Sequence, residues 1–141
     1  MESKITNSKI PITRKLCRDL LWPVLMVTAI FLVSSASKVA TPSIELYFST
    51  DKIAHFLVFG LLATSIIRIS TFRHKGFRGA IGAILIVSIY GGLDELRQSF
   101  TPGRSVEFGD WIADTFGAVL AVTLYMNWSW YRKILESRPK N

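Results

Sequence analysis

Four apolar runs, 20–37, 53–70, 79–93 and 111–128, separated by charged segments, limit what this chain can fold into more than any other feature. A run of about 18 residues makes a helix ~27 Å long, enough to cross a hydrocarbon core about 30 Å thick. A soluble domain of this size would spread its apolar residues at helix or strand period. Here they come in blocks, as in membrane proteins. The expected fold is all-α: an integral membrane bundle of four transmembrane helices.

Lys and Arg beside the runs set the expected topology. They crowd the segment before run one, the loop 71–78 and the segment after run four. Loops 38–52 and 100–109 hold few, offset by acidic residues. Basic flanks are retained in the cytoplasm, so both termini are expected there and the two acidic loops outside. The chain then divides into a basic cytoplasmic tail (1–19), the four-helix domain (20–128) and a second basic tail (129–141). Trp22 near the start of run one, Trp128 at the end of run four, and Trp130 and Tyr131 just after it suit the membrane interfaces. Pro23 falls in the first turn of its run, where a missing N–H costs least.

The net charge of +7 first suggests a nucleic-acid partner. The basic residues edge the apolar blocks and form no continuous face, so no nucleic-acid partner is expected. Cys17 is the single cysteine. It excludes an internal disulfide and reads as an inert thiol. Ser34-Ser35-Ala36 resembles a leader-peptidase site, but the long basic segment before run one favours a retained helix.

Polar residues of three runs fall at one depth. From Arg68 back to His55 is about 13 residues, or ~20 Å of helix. Gly79 to Asp94 spans about 15 residues, or ~23 Å, and Trp130 back to Asp114 about 16, or ~24 Å. Asp51 and His55, Asp94 and Gln98, and Asp110 and Asp114 are each four apart, and Glu95 and Gln98 three apart, so each pair shares a helix face. Ionisable groups within a membrane face the bundle interior. A pocket just inside the outer surface is expected from His55, Asp51, Lys52, Asp94, Glu95, Gln98, Arg104, Asp110 and Asp114. Singly, each has a plainer role. Asp51 and Lys52 could mark a helix start, Arg97 could snorkel to the headgroups, and Gly91-Gly92 could be packing surface.

Three segments carry a resemblance. They are Asp51-Lys52-Ile53-Ala54-His55-Phe56, then Glu95-Leu96-Arg97-Gln98-Ser99-Phe100-Thr101-Pro102-Gly103-Arg104, then Asp110-Trp111-Ile112-Ala113-Asp114-Thr115-Phe116-Gly117. In order and spacing they resemble the VanZ-like family over about residues 20–128. The resemblance implies a small, multi-pass protein of the bacterial inner membrane. It also implies a link to teicoplanin-type glycopeptide resistance, or kinship with membrane enzymes that act on lipid headgroups. Asp114 departs from the family pattern, which often has Asn there. An Asn that only donates a hydrogen bond is replaced by Asp only if the Asp is protonated or paired with a cation or metal.

The chemistry expected of such a pocket leans towards an enzyme acting on a phosphate-containing lipid headgroup or lipid-linked envelope precursor at the outer face. Arg104 and Lys52 would clamp phosphate oxygens. His55 would be general base or nucleophile. Glu95 and Asp110 would orient it, handle protons or hold a divalent metal, and Gln98, Asp51, Asp94 and Asp114 would complete the binding surface. Oxygen donors admit a divalent ion without specifying which. The alternative is a non-catalytic membrane protein that recognises an envelope precursor or the antibiotic. A membrane lipid or lipid-linked precursor is the expected partner under both readings, and charge counts leave the oligomeric state open.

Overall fold

The computed structural model describes residues 12–35, 44–102 and 106–136, with side chains for 16–35, 51–102 and 106–136. The described residues form helices and no strand: α1 (Ile12–Ser34), α2 (Ile44–Ile67), the single turn α3 (Ser70–Arg73), α4 (Phe77–Gln98), α5 (Phe108–Asn127) and α6 (Ser129–Glu136). The all-α expectation holds. Leu16–Ser34 within α1, and α4, are long and apolar enough to cross a membrane. α5 carries Asp110 and Asp114 in its first two turns, which dilutes its apolar average.

Helices begin earlier than the apolar runs. α1 starts at Ile12 and α2 at Ile44. A lipid-length run marks the apolar part of a helix, whereas polar residues can extend the same helix beyond it. Two expectations change as a result. Pro23 sits mid-helix rather than in a first turn, where it removes a ladder hydrogen bond. Asp51 and Lys52 lie two turns inside α2, so they do not mark its start.

α2 and α5 form the tightest pair. A Cβ at Gly117 would collide with the Phe56 carbonyl oxygen, and one at Gly60 would stand 3.1 Å from the Gly117 oxygen. Only glycine lets the two backbones come this close. α4 closes on α5 at Gly91, where a Cβ would lie 2.6 Å from Asp114 Oδ2. Ser88 and Thr115 hydroxyls share a 2.9 Å hydrogen bond beside it, and Trp111 Nε1 donates to the Ser88 carbonyl at 2.9 Å. α1 is pinned more loosely: Tyr90 donates to the Val27 carbonyl at 3.1 Å, and Ser70 donates to Asp19.

Along α4 the small and polar residues face inward and the large apolar ones outward. On α4 the buried positions are Gly79, Ala80, Ala83, Val87, Gly91, Asp94, Glu95 and Gln98. The exposed stripe is Ile81, Leu85, Ile89, Leu93 and Leu96. Small and polar groups inside, with branched apolar ones outside, is the arrangement lipid favours.

The end of the bundle opposite the acidic residues is closed by α6. Arg68 donates to the Leu135 carbonyl, Tyr125 to Glu136 at 2.5 Å and Arg73 to Glu136 at 3.2 Å. The Tyr125 hydroxyl, then the Arg73 guanidinium, hold the Glu136 carboxyl below its ordinary range against the opposing pull of burial.

Candidate functional site

Two parallel rungs join α2 to α5. Lys52 Nζ lies 2.9 Å from Asp110 Oδ1 and 3.1 Å from Glu107 Oε2. One turn on, His55 Nδ1 lies 3.0 Å from Asp114 Oδ1. The i,i+4 spacing of Asp110 and Asp114 puts both on the face of α5 that meets α2. Asp114 is fully buried, and the His55 side chain is 11 % exposed. The His55 ring stacks on Phe59, with centroids 5.8 Å apart. With Nδ1 engaged, Nε2 makes no hydrogen bond among the described residues, and it lies 4.0 Å from Asp110 Oδ2.

α4 splits its acidic pair between two neighbours. Asp94 faces α1: Ser34 Oγ donates to its Oδ1 at 2.7 Å, Arg97 at 2.8 Å, and Gln98 Nε2 donates to Oδ2 at 2.9 Å. Glu95 faces α5, where its Oε2 accepts the Glu107 amide at 3.0 Å. Of the two pairings the spacing allowed for Gln98, the hydrogen bond goes to Asp94. Arg97 does not snorkel freely. It bonds Asp94, Ser34 and Ser35, and its guanidinium lies 4.5 Å from the Phe31 ring centre. It thereby ties α4 to the end of α1.

A groove of about 300 Å³ opens between α1, α2 and α4. Met26, Ile30 and Val33 of α1 and Val58 and Phe59 of α2 line its apolar length. Ser34, Asp51, His55 and Asp94 line the other end. α1 and α2 run in opposite directions here, so the polar residues of both fall together. An amphiphile matches that division of surface.

Asp51, His55, Asp94, Glu95, Gln98, Asp110 and Asp114 thus gather at one end of the bundle, with Lys52 beside them. Arg104, expected as a phosphate clamp, lies outside the described residues. Ser34 and Glu107 join the site without having been singled out from the sequence. Glu107 stands three residues before Asp110, a spacing that could have drawn it in. Nothing local marks Ser34, whose role depends on how α1 packs.

Among the described residues of the site, six are carboxylates (Asp51, Asp94, Glu95, Glu107, Asp110 and Asp114) and two, Lys52 and Arg97, are permanent cations. Glu95 Oε1 and Asp114 Oδ2 are buried with no hydrogen-bond partner among the described residues. Ligand atoms of Asp51, His55 and Asp110 lie within 4.8 Å of one another, a grouping able to hold a metal ion. Glu95, the other expected ligand, is not part of that group.

Two helices long and apolar enough to cross a membrane, and the apolar stripe exposed along α4, suit a membrane protein. The VanZ/LLP1 family model matches residues 7–131, and the chain belongs to that family. Family and apolar helices together suggest a membrane protein. No curated protein matches the chain. No solved structure matches it either.

Proposed function

We propose that this chain is a multi-pass protein of the bacterial inner membrane that acts on a phosphate-containing lipid headgroup or lipid-linked envelope precursor at the outer face. Its four helices α1, α2, α4 and α5 span the bilayer, with both termini in the cytoplasm. The Lys and Arg distribution along the sequence supports this orientation. α6 then lies at the inner surface, where exposed Trp130 and Ile134 enter the interface.

The observation that carries the reading is the His55–Asp114 pair at the polar end of an apolar groove. A carboxylate on one ring nitrogen fixes tautomer and orientation and leaves the other nitrogen to work. The lipid chain lies along Ile30, Val33 and Val58, and the headgroup meets His55. A hydroxyl acceptor, water or an alcohol, forms a bond to phosphorus as its proton passes to Nε2. The P–O bond to the leaving group breaks, and that oxygen takes up a proton. Asp114 positions His55; Asp110 and Lys52 hold the neighbouring rung; Glu95 holds the start of α5 through the Glu107 amide.

One observation favours a non-catalytic binding reading instead: the two cations described at the site, Lys52 and Arg97, are already paired with carboxylates. Lipid analysis by mass spectrometry of proteoliposomes containing the purified chain, headgroup donors and divalent metal separates the two. The proposal expects a new or lost headgroup species with wild type and none with His55→Ala. Unchanged lipids with wild type, alongside saturable precursor binding, would leave the binding reading in place.

A further inference from the structure

We propose that Asp51, His55 and Asp110 bind one divalent cation of the kind that accepts both imidazole and carboxylate, such as Zn²⁺ or Mn²⁺. This rests on the reading above and changes one role in it: with the ion bound, Nε2 is a ligand, the ion supplies the positive charge an acidic site needs to hold a phosphate, and the acceptor's proton goes to a neighbouring carboxylate instead of His55.

Four features of the geometry lead there. First, donor atoms from two helices converge. Asp51 and His55 share a face of α2, Asp110 opens α5, and all three atoms lie within 4.8 Å. Donors about 2.1 Å from one ion stand at most about 4.2 Å apart, so side-chain shifts of roughly half an ångström close the group.

Second, the supporting contacts are those of a metal site. A ligating histidine almost always gives its other ring nitrogen to a carboxylate or carbonyl. His55 Nδ1 lies 3.0 Å from Asp114 Oδ1, which leaves Nε2 as the ligating atom. Asp114 lies outside the ligand group and is fully buried, as an orienting residue should be.

Third, Asp110 divides its oxygens. Oδ1 takes Lys52 at 2.9 Å, and Oδ2 is the oxygen 4.0 Å from His55 Nε2. That separation is too long for a hydrogen bond and suits two donors to one ion.

Fourth, Glu95 Oε1 and Asp114 Oδ2 are buried with no hydrogen-bond partner among the described residues. Buried carboxylates need compensation from a cation or a proton. A divalent ion meets that need and prepares the site for an anionic substrate.

The test uses the full chain in lipid nanodiscs, stripped with chelator and titrated with Mn²⁺ or Zn²⁺. Mn²⁺ is followed by electron paramagnetic resonance with nitrogen-modulation detection, and Zn²⁺ by elemental analysis. One ion per chain is expected, with an imidazole nitrogen coupled to Mn²⁺. His74→Gln keeps that coupling and His55→Gln removes it. Asp51→Asn and Asp110→Asn weaken binding at least tenfold, and Asp114→Ala about 10–100-fold. Glu136→Gln, at the opposite end of the bundle, binds as wild type does. Absence of stoichiometric binding, or bound Mn²⁺ without nitrogen coupling in wild type, overturns the site whatever the variants do. Equal affinity in folded Asp51→Asn and wild type also overturns it. The outcome is separable from the proposed function. Turnover without a bound ion leaves His55 as the direct base, and a bound ion without turnover rejects the enzyme reading alone.

Discussion

His55 Nδ1 and Asp114 Oδ1, 59 residues apart in sequence, meet at 3.0 Å in the buried seam between α2 and α5. The contact accounts for Asp114 where the family pattern often has Asn. An aspartate here accepts a hydrogen bond from the Nδ1–H of the ring. The Asn side-chain oxygen can accept from the same ring nitrogen. Asp114→Asn should therefore keep turnover within about tenfold of wild type. Asp114→Ala, which leaves the ring unheld, should lose about 100-fold or more, the scale of a lost acid–base contribution. Headgroup turnover in proteoliposomes measures both, and equal loss in the two variants would deny Asp114 a positioning role.

Gly117 sits where α2 and α5 touch backbone to backbone. In Gly117→Ala the new Cβ meets the Phe56 carbonyl oxygen, which is backbone and cannot swing aside. Overpacking of this kind costs about 1–3 kcal/mol. The melting temperature in detergent should fall, and Lys52–Asp110 and His55–Asp114 should loosen together because both rungs cross the same seam. An unchanged melting temperature would mean that the helices are not this close.

At the other end of the bundle, Tyr125 and then Arg73 hold the Glu136 carboxyl below its ordinary range. A carboxylate with a lowered folded-state pKa adds stability that is fully present above its unfolded value, about 4.3. That stability is lost as pH falls through the lower, folded value. Wild type should melt above Glu136→Gln at pH 6, and the gap should close as the pH drops below about 4. A gap that does not shrink at all as the pH falls below about 4 would place the contribution elsewhere.

The proposed orientation puts the loop before α5 outside and the loop before α4 inside. Val106→Cys in a Cys17→Ser background should react with an impermeant maleimide applied to spheroplasts. Lys75→Cys in the same background should react only after the membrane is opened. The reverse pattern would turn the site to the cytoplasm.

Much of the site was legible in the sequence because two regularities suffice for it. Helix rise places His55, Asp94 and Asp114 at one depth, and i,i+4 spacing gives Asp110 and Asp114 a common face. Which face meets which neighbour was not legible. That depends on the rotation of each helix about its axis, which the small residues Gly60, Gly91 and Gly117 set by where they allow contact. Hence Asp94 and Glu95, adjacent in sequence, turn to different helices. Ser34 gave no sign of its bond to Asp94, and Arg97 gave none of its link back to α1. The start of α2 was missed because hydropathy reports a helix's lipid-facing length and not its full extent.

Everything proposed for the site depends on Nε2 of His55 being its working nitrogen. His55 and His74 are the only histidines in the chain, so a His74→Gln background isolates His55 for ¹⁵N solid-state nuclear magnetic resonance in bilayers without added metal. The expected spectrum has a proton on Nδ1, hydrogen-bonded to Asp114, and Asp114→Ala redistributes the tautomers. A ring with bare Nδ1 and protonated Nε2, unchanged in Asp114→Ala, would contradict the assignment.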